Sequence, residues 1–114
     1  MINFACTAIK FEELITCSFG LTKTDYNVLL FLLSSGESLT TQEIARTMNL
    51  ERSTVQKSVK RLAEKNLVLR IQENLDAGGF LFHYQTKNKE SIKQKMLKTI
   101  ETWTDEVKNE IEKW

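Results

Sequence analysis

Apolar residues recur with helical spacing over most of this chain and alternate in only one stretch. From Phe4 to Ser18, the residues Ala5, Ala8, Ile9, Leu14, Ile15 and Cys17 form an imperfect helical stripe that stops before Gly20, so a first helix is expected there. Thr22 then offers an N-cap with Asp25 three residues on. Val28, Leu29, Phe31, Leu32 and Leu33 follow as a strongly apolar helix ending near Gly36, expected to be buried on most sides. Ser38 and Leu39 leave room for a very short strand. Thr40 and Glu43 have the spacing of a capping box for a short helix from Thr41 to Met48. A second helix from about Arg52 to Asn66 begins only a few residues later, which forces the two to cross at a steep angle.

The alternating stretch comes next. Leu67 to Ile71 is apolar or β-compatible, Glu73 to Gly79 is loop-like with two glycines, and Phe80, Phe82 and Tyr84 alternate with Leu81, His83 and Gln85. This is the pattern of a β-hairpin. Lys89 to Trp114 then reads as one amphipathic helix with apolar positions at Ile92, Met96, Ile100, Trp103, Val107, Ile111 and Trp114. Ile92, Trp103 and Trp114 are spaced by eleven, as are Met96 and Val107, a period that predicts a nearly straight or slightly right-handed seam. The stripe runs for about 33 Å at 1.5 Å per residue, too long for one small domain to cover. Self-packing is expected for its first two turns only. Ile100, Trp103, Val107, Ile111 and Trp114 are therefore candidate dimerisation residues.

With no proline and four glycines, the chain has few breaks. The fold class expected is mainly α with a small β-hairpin, a winged helix-turn-helix with N- and C-terminal dimerisation helices. Residues 1–20 would form the N-terminal helix and a dimer contact, residues 21–87 the winged helix-turn-helix, and residues 88–114 the long dimerisation helix. A length of 114 residues with 41% hydrophobic composition suits one core.

Sixteen basic and fifteen acidic side chains leave a formal charge of +1, so the total charge points to no partner. Its distribution does: Arg52 to Lys65 contains five cations and only Glu64 as an acid. On a helical wheel Val55, Ser58, Val59 and Leu62 share one side, and Ser53, Gln56, Lys57, Lys60 and Glu64 the other. A helix with that outer face fits a major groove of ~12 Å, with Gln56 able to bond adenine and Lys57 or Lys60 guanine or phosphate. Ser53 and Thr54, at the helix start, would meet phosphates beside outward-pointing N–H groups. An exposed helix has polar residues opposite its buried stripe in any protein. It is the ordered combination of short helix, tight turn, basic helix and hairpin that makes the pattern specific.

The segments Leu39-Thr40-Thr41-Gln42-Glu43-Ile44-Ala45, Leu50 to Leu62, Lys65-Asn66-Leu67-Val68 and Gly78-Gly79-Phe80 carry a resemblance to winged helix regulators of the MarR and TrmB type, over roughly Leu21 to Thr86. In the tight turn, where such proteins usually have glycine, Asn49 stands, a residue that tolerates positive φ. The resemblance implies a recognition helix at Arg52 to Lys65 and a wing at Arg70 to Tyr84. The candidate DNA-binding residues are Thr41, Arg52, Ser53, Thr54, Gln56, Lys57, Lys60, Arg61 and Arg70. Two departures stand out: the wing tip Glu73 to Gly79 carries no cation, leaving Arg70 at the wing's base, and Glu51 occupies the cap position of the recognition helix.

These features predict a homodimer that binds double-stranded DNA sequence-specifically as a transcriptional regulator, with repression expected, at half-sites ~34 Å apart. The alternative is a winged helix serving as a protein-interaction module in transcription or replication machinery, which would more often place apolar residues at Gln56, Lys57 and Lys60. The two tryptophans leave room for a small-molecule effector of unspecified chemistry. No enzyme, cofactor or metal site is expected. His83 reads as a surface histidine, no cysteine-histidine cluster has metal spacing, and no glycine-rich loop follows a strand in a phosphate-binding pattern. Lacking an apolar run of ~18 residues or a signal peptide, the chain reads as cytoplasmic without a membrane partner. Cys6 and Cys17, on one helix, would lie ~16 Å apart along its axis and could not bridge, and burial as structural residues is expected for both, with a thiol sensor paired across subunits as the alternative.

Overall fold

The computed structural model describes residues 1–114 and follows the order β1 (Ile2–Asn3), β2 (Ala8–Ile9), α1 (Phe11–Phe19), α2 (Lys23–Ser35), α3 (Thr41–Met48), α4 (Arg52–Glu64), β3 (Val68–Asn74), β4 (Phe80–Thr86) and α5 (Lys89–Lys113). It is mainly α, with two small antiparallel hairpins where the sequence pattern predicts one.

The added hairpin corrects the reading of residues 1–20. Ile2 pairs with Ile9 and Asn3 with Ala8, and the Phe4 N–H donates to the Thr7 carbonyl at 2.7 Å to close the turn. Ile2, Thr7 and Ile9 are β-branched, which favours pairing over a helix turn. The helix begins only at Phe11, where Glu12 and Glu13 complement its positive end. It therefore spans Phe11–Phe19 instead of Phe4 to Ser18, and Cys6 is not on it. Both cysteines are exposed, against the expectation of burial, because Cys6 sits in the hairpin turn and Cys17 on the outer face of α1.

The helices from α2 to α4 form as their caps dictate. Thr22 and Asp25 make a reciprocal capping box, with Asp25 N–H donating to Thr22 Oγ1 at 3.1 Å and Thr22 N–H to Asp25 Oδ2 at 3.0 Å. Thr40 Oγ1 accepts from the Glu43 N–H at 3.2 Å. At the end of α3, Asn49 takes the left-handed conformation (φ 55°, ψ 46°), and Leu50 N–H reaches back to the Ala45 carbonyl at 2.9 Å. This turn folds α4 across α3, where the small buried Ala45 permits a close crossing.

Val28, Leu29, Leu32, Ile44, Val55, Val59, Leu62 and Leu67 form the centre of the core, all at most 2% exposed. Each such side chain contributes about 1.5–3 kcal/mol by leaving water. One expectation is only partly met: α2 buries Val28, Leu29 and Leu32, whereas Leu30 points to solvent and Phe31 and Leu33 are half-buried.

β3 and β4 pair from Val68↔Thr86 to Asn74↔Phe80, a longer ribbon than the alternation alone indicates. Leu39 bridges Tyr84 through two backbone hydrogen bonds of 2.9 and 2.8 Å, so the α2–α3 connection anchors the ribbon's base. Finally, Asn88 caps α5 by accepting from the Glu90 N–H at 2.7 Å. Ile92 is buried against α1, Met96 and Ile100 are half-buried, and every apolar position beyond is exposed. The molecule is accordingly elongated, 65 × 24 × 22 Å.

Candidate nucleic-acid interface

The faces of α4 separate as its sequence dictates. Val55, Ser58, Val59 and Leu62 are buried, and Arg52, Ser53, Gln56, Lys57, Lys60 and Glu64 are exposed. Thr54 is half-buried at the helix start. Glu51 caps the helix with extended backbone but no side-chain hydrogen bond, so the first-turn N–H groups stay open to an external acceptor. The ion pairs of the molecule are Arg61–Asp25, His83–Glu73, Lys93–Glu90 and Lys113–Glu110, which leaves Arg52, Lys57 and Lys60 without a carboxylate partner.

Arg61 departs from the candidate set. Its Nη1 lies 2.6 Å from Oδ2 of Asp25, whose side chain is 1% exposed. Burial pushes the Asp25 carboxyl up; the Arg61 guanidinium and the Thr22 N–H, with smaller contributions from the Ser58 and Thr22 hydroxyls, outweigh this and hold it below the ordinary carboxylate range. The same bond, with the attraction of the Asp25 charge, holds Arg61 above its usual value. Arg61 thus joins α4 to α2 instead of facing outward with Lys57 and Lys60. Just past the same end of the helix, Lys95 on α5 donates to the Asn66 carbonyl, and burial together with Lys87 lowers its ammonium below its ordinary value.

A groove of about 400 Å³ runs between the N-terminal ends of α3 and α4 and the inner edge of β4. Thr41, Arg52 and Gln56 line it, which brings three of the sequence candidates together. Gln42 and Arg46 line it as well, two residues absent from the sequence candidates. Their signal was present: four apart on a helix of eight residues, opposite the buried Ile44 and Ala45, they share one exposed face. Arg70 stands on β3 opposite Tyr84, with its Cζ 4.3 Å from the centre of the Phe82 ring. His83 is bonded to Glu73 on the other face of the ribbon.

On α5, Trp103, Val107, Ile111 and Trp114 lie along a shallow apolar trough edged by Glu106 and Glu110, with Trp103 55% and Ile111 64% exposed.

The MarR family model matches residues 19–77, from the end of α1 into the wing loop and more than half of the chain. The chain belongs to the MarR family of winged helix-turn-helix transcriptional regulators. DNA-binding transcriptional regulation is the function of that family. Across 112 residues this MarR protein is 34% identical to an uncharacterized protein of Methanocaldococcus jannaschii, covering 98% of this chain and 84% of the relative. Among solved structures, a possible transcriptional regulator from Methanosarcina mazei Go1 is 37% identical with a TM-score of 0.95, covering 100% of this chain and 96% of the other. A mutant MepR of S. aureus bound to an oligodeoxyribonucleotide shares the fold at 16% identity and a TM-score of 0.56, over 88% of this chain and 71% of that one. No helix of this MarR protein is long and apolar enough to cross a membrane.

Proposed function

We propose that this MarR protein is a homodimer that binds double-stranded DNA sequence-specifically and regulates transcription, acting as a repressor. The observation that carries this reading is the outer face of α4: Arg52, Gln56, Lys57 and Lys60 stand in solvent with no acidic partner, beside an anchored β-ribbon. A cation whose charge is neutralised by a carboxylate would release no counterions from DNA, and these are free to do so. Gln56 supplies base discrimination, Lys57 and Lys60 take guanine or phosphate, and Arg52, Ser53 and Thr54 take phosphate at the helix N-terminus. Thr41 and Arg46 add contacts from α3, and Arg70 adds one from the wing. The mutant MepR bound to an oligodeoxyribonucleotide supports this use of the fold.

In this reading residues 21–87 are the DNA-binding unit, and residues 1–20 with 88–114 are the dimer elements. The distal α5 stripe favours a second copy as its cover, since Ile100, Trp103, Val107, Ile111 and Trp114 continue the helix face that Ile92 buries within the chain. A two-fold dimer presents two α4 helices to half-sites about 34 Å apart. Repression follows from a dimer clamped on a promoter excluding polymerase.

The deciding experiment is a gel-shift salt series on a duplex of about 30 base pairs, three helical turns, comparing the parent protein with Lys57→Ala/Lys60→Ala. Weaker binding with a flatter salt dependence supports the assignment. Equal affinity and slope would reject it.

A further inference from the structure

The wing of this chain has no cation at its tip, yet its stem holds an arginine in a defined setting. Arg70, Gln72 and Asn74 share one face of the ribbon with Tyr84, Phe82 and Phe80 opposite them. The Arg70 guanidinium lies 4.3 Å from the Phe82 ring centre, and Phe82 in turn packs against Phe80 with ring centres 5.2 Å apart at 59°. Gln72, the neighbour of Arg70 on that face, donates its amide to Asn74 Oδ1 at 3.1 Å, directed along the strand. Arg70 itself takes part in none of the ion pairs of the molecule.

A guanidinium centred 4.3 Å from a ring is held by attraction to the ring's negative face. That attraction restrains the group while its N–H donors stay available to an acceptor such as phosphate. A free arginine loses much rotamer entropy when it docks on a phosphate; one already restrained loses less. Phe82 also lines the groove that Arg46, Arg52 and Gln56 border, which puts the stack at the wall of the same surface.

We infer that Phe82 is a positioning residue for DNA binding: its ring, braced by Phe80, holds Arg70 ready to bond a duplex phosphate, so the wing engages DNA from its stem and not its tip. Phe82 acts only through Arg70 and touches no DNA. This inference rests on the DNA-binding reading above.

The test is a double-mutant cycle on the same duplex of about 30 base pairs, with thermal unfolding recorded for each variant. Phe82→Leu weakens binding about threefold, the effect of a cation–π contact at an exposed site. Arg70→Ala weakens it at least as much and lowers the salt slope by about 1. In the Arg70→Ala background Phe82→Leu has no further effect, and Phe82→Tyr, which keeps the ring, binds as the parent does. Arg70→Lys keeps the charge on an exposed side chain, so folding and the salt slope are preserved; it loses about as much affinity as Phe82→Leu, because an ammonium lacks the planar group that the ring orients. Equal losses from Phe82→Leu in both backgrounds, or parent-like binding by Arg70→Lys, would overturn the inference. If Phe82→Leu fails to fold, the Arg70→Lys arm decides alone. Should Lys57→Ala/Lys60→Ala weaken binding while the Arg70 variants do not, the inference fails and the DNA-binding reading stands; should none of them change it, that reading fails too.

Discussion

Arg61 on α4 and Asp25 on α2 are joined by a contact of 2.6 Å between Nη1 and Oδ2, and the same carboxylate oxygen accepts the Thr22 N–H at 3.0 Å. One buried carboxylate therefore caps the second helix and ties it to the recognition helix.

Stability should report this pair in acid. Asp25 is held below the ordinary carboxylate range when folded, so its contribution is fully present above about pH 4, the unfolded value, and is lost as the pH falls through the lower folded value. Unfolding measured from about pH 7 to about pH 2 should show the parent losing more stability on acidification than Asp25→Asn. Arg61→Leu leaves Asp25 buried without its cation, at a cost of about 1–3 kcal/mol. Adding Asp25→Asn to Arg61→Leu should recover part of that loss, and urea titrations of the four proteins would establish whether it does.

Lys57 and Lys60 are each exposed and unpaired. If each neutralises one phosphate, the double alanine variant should lower the slope of log affinity against log salt by about 2. Its melting temperature should stay near that of the parent, because neither side chain packs in the core.

The distal half of α5 yields a prediction on assembly. Trp103→Glu with Ile111→Glu should move the sedimentation coefficient from dimer to monomer and reduce DNA affinity by removing the second half-site contact. Cooperative unfolding of the core should be preserved, since the core ends at Ile92 and its partly buried neighbours. A parent protein that is monomeric at micromolar concentration would refute the dimer.

Asn49 tests the corner between α3 and α4. Its φ of 55° is open to glycine, so Asn49→Gly should leave thermal stability within about 0.5 kcal/mol or raise it. Asn49→Val places a β-branched side chain in the left-handed region and should cost about 1–2 kcal/mol or more. DNA binding should fall with the Val variant, because the turn sets how α4 is presented.

Much of this was legible in the sequence because local signals and burial agreed. Thr22 and Asp25, Thr40 and Glu43, and Asn49 mark helix ends by short-range chemistry, and the alternation from Phe80 to Tyr84 marks a strand without ambiguity. The N-terminal hairpin was not legible: in ten residues, Ala5, Ala8 and Ile9 mimic a helical spacing, and strands of two residues are too short to impose a period of two. The two cysteines escape burial for different reasons: Cys6 sits in the hairpin turn, and Cys17 lies on α1 but on its outer face. Within the interface, Gln56, Lys57 and Lys60 were readable from the wheel of one helix. Arg61 was not, since its partner is 36 residues away and only the packing of α2 on α4 brings them together. The Arg70–Phe82 stack needed the strand register, which the length of the wing loop fixes and composition does not.

The last turns of α5 have no side chain of their own chain to lean on, and their Trp114 lies wholly in solvent. If a twin molecule supplies that support, the order of this segment becomes a function of abundance, because association stabilises only the paired state. Scarce chains would then be frayed and single, and plentiful ones stiff and paired. Occupancy of a two-part operator would climb more steeply than the amount of protein, a threshold response that needs no effector.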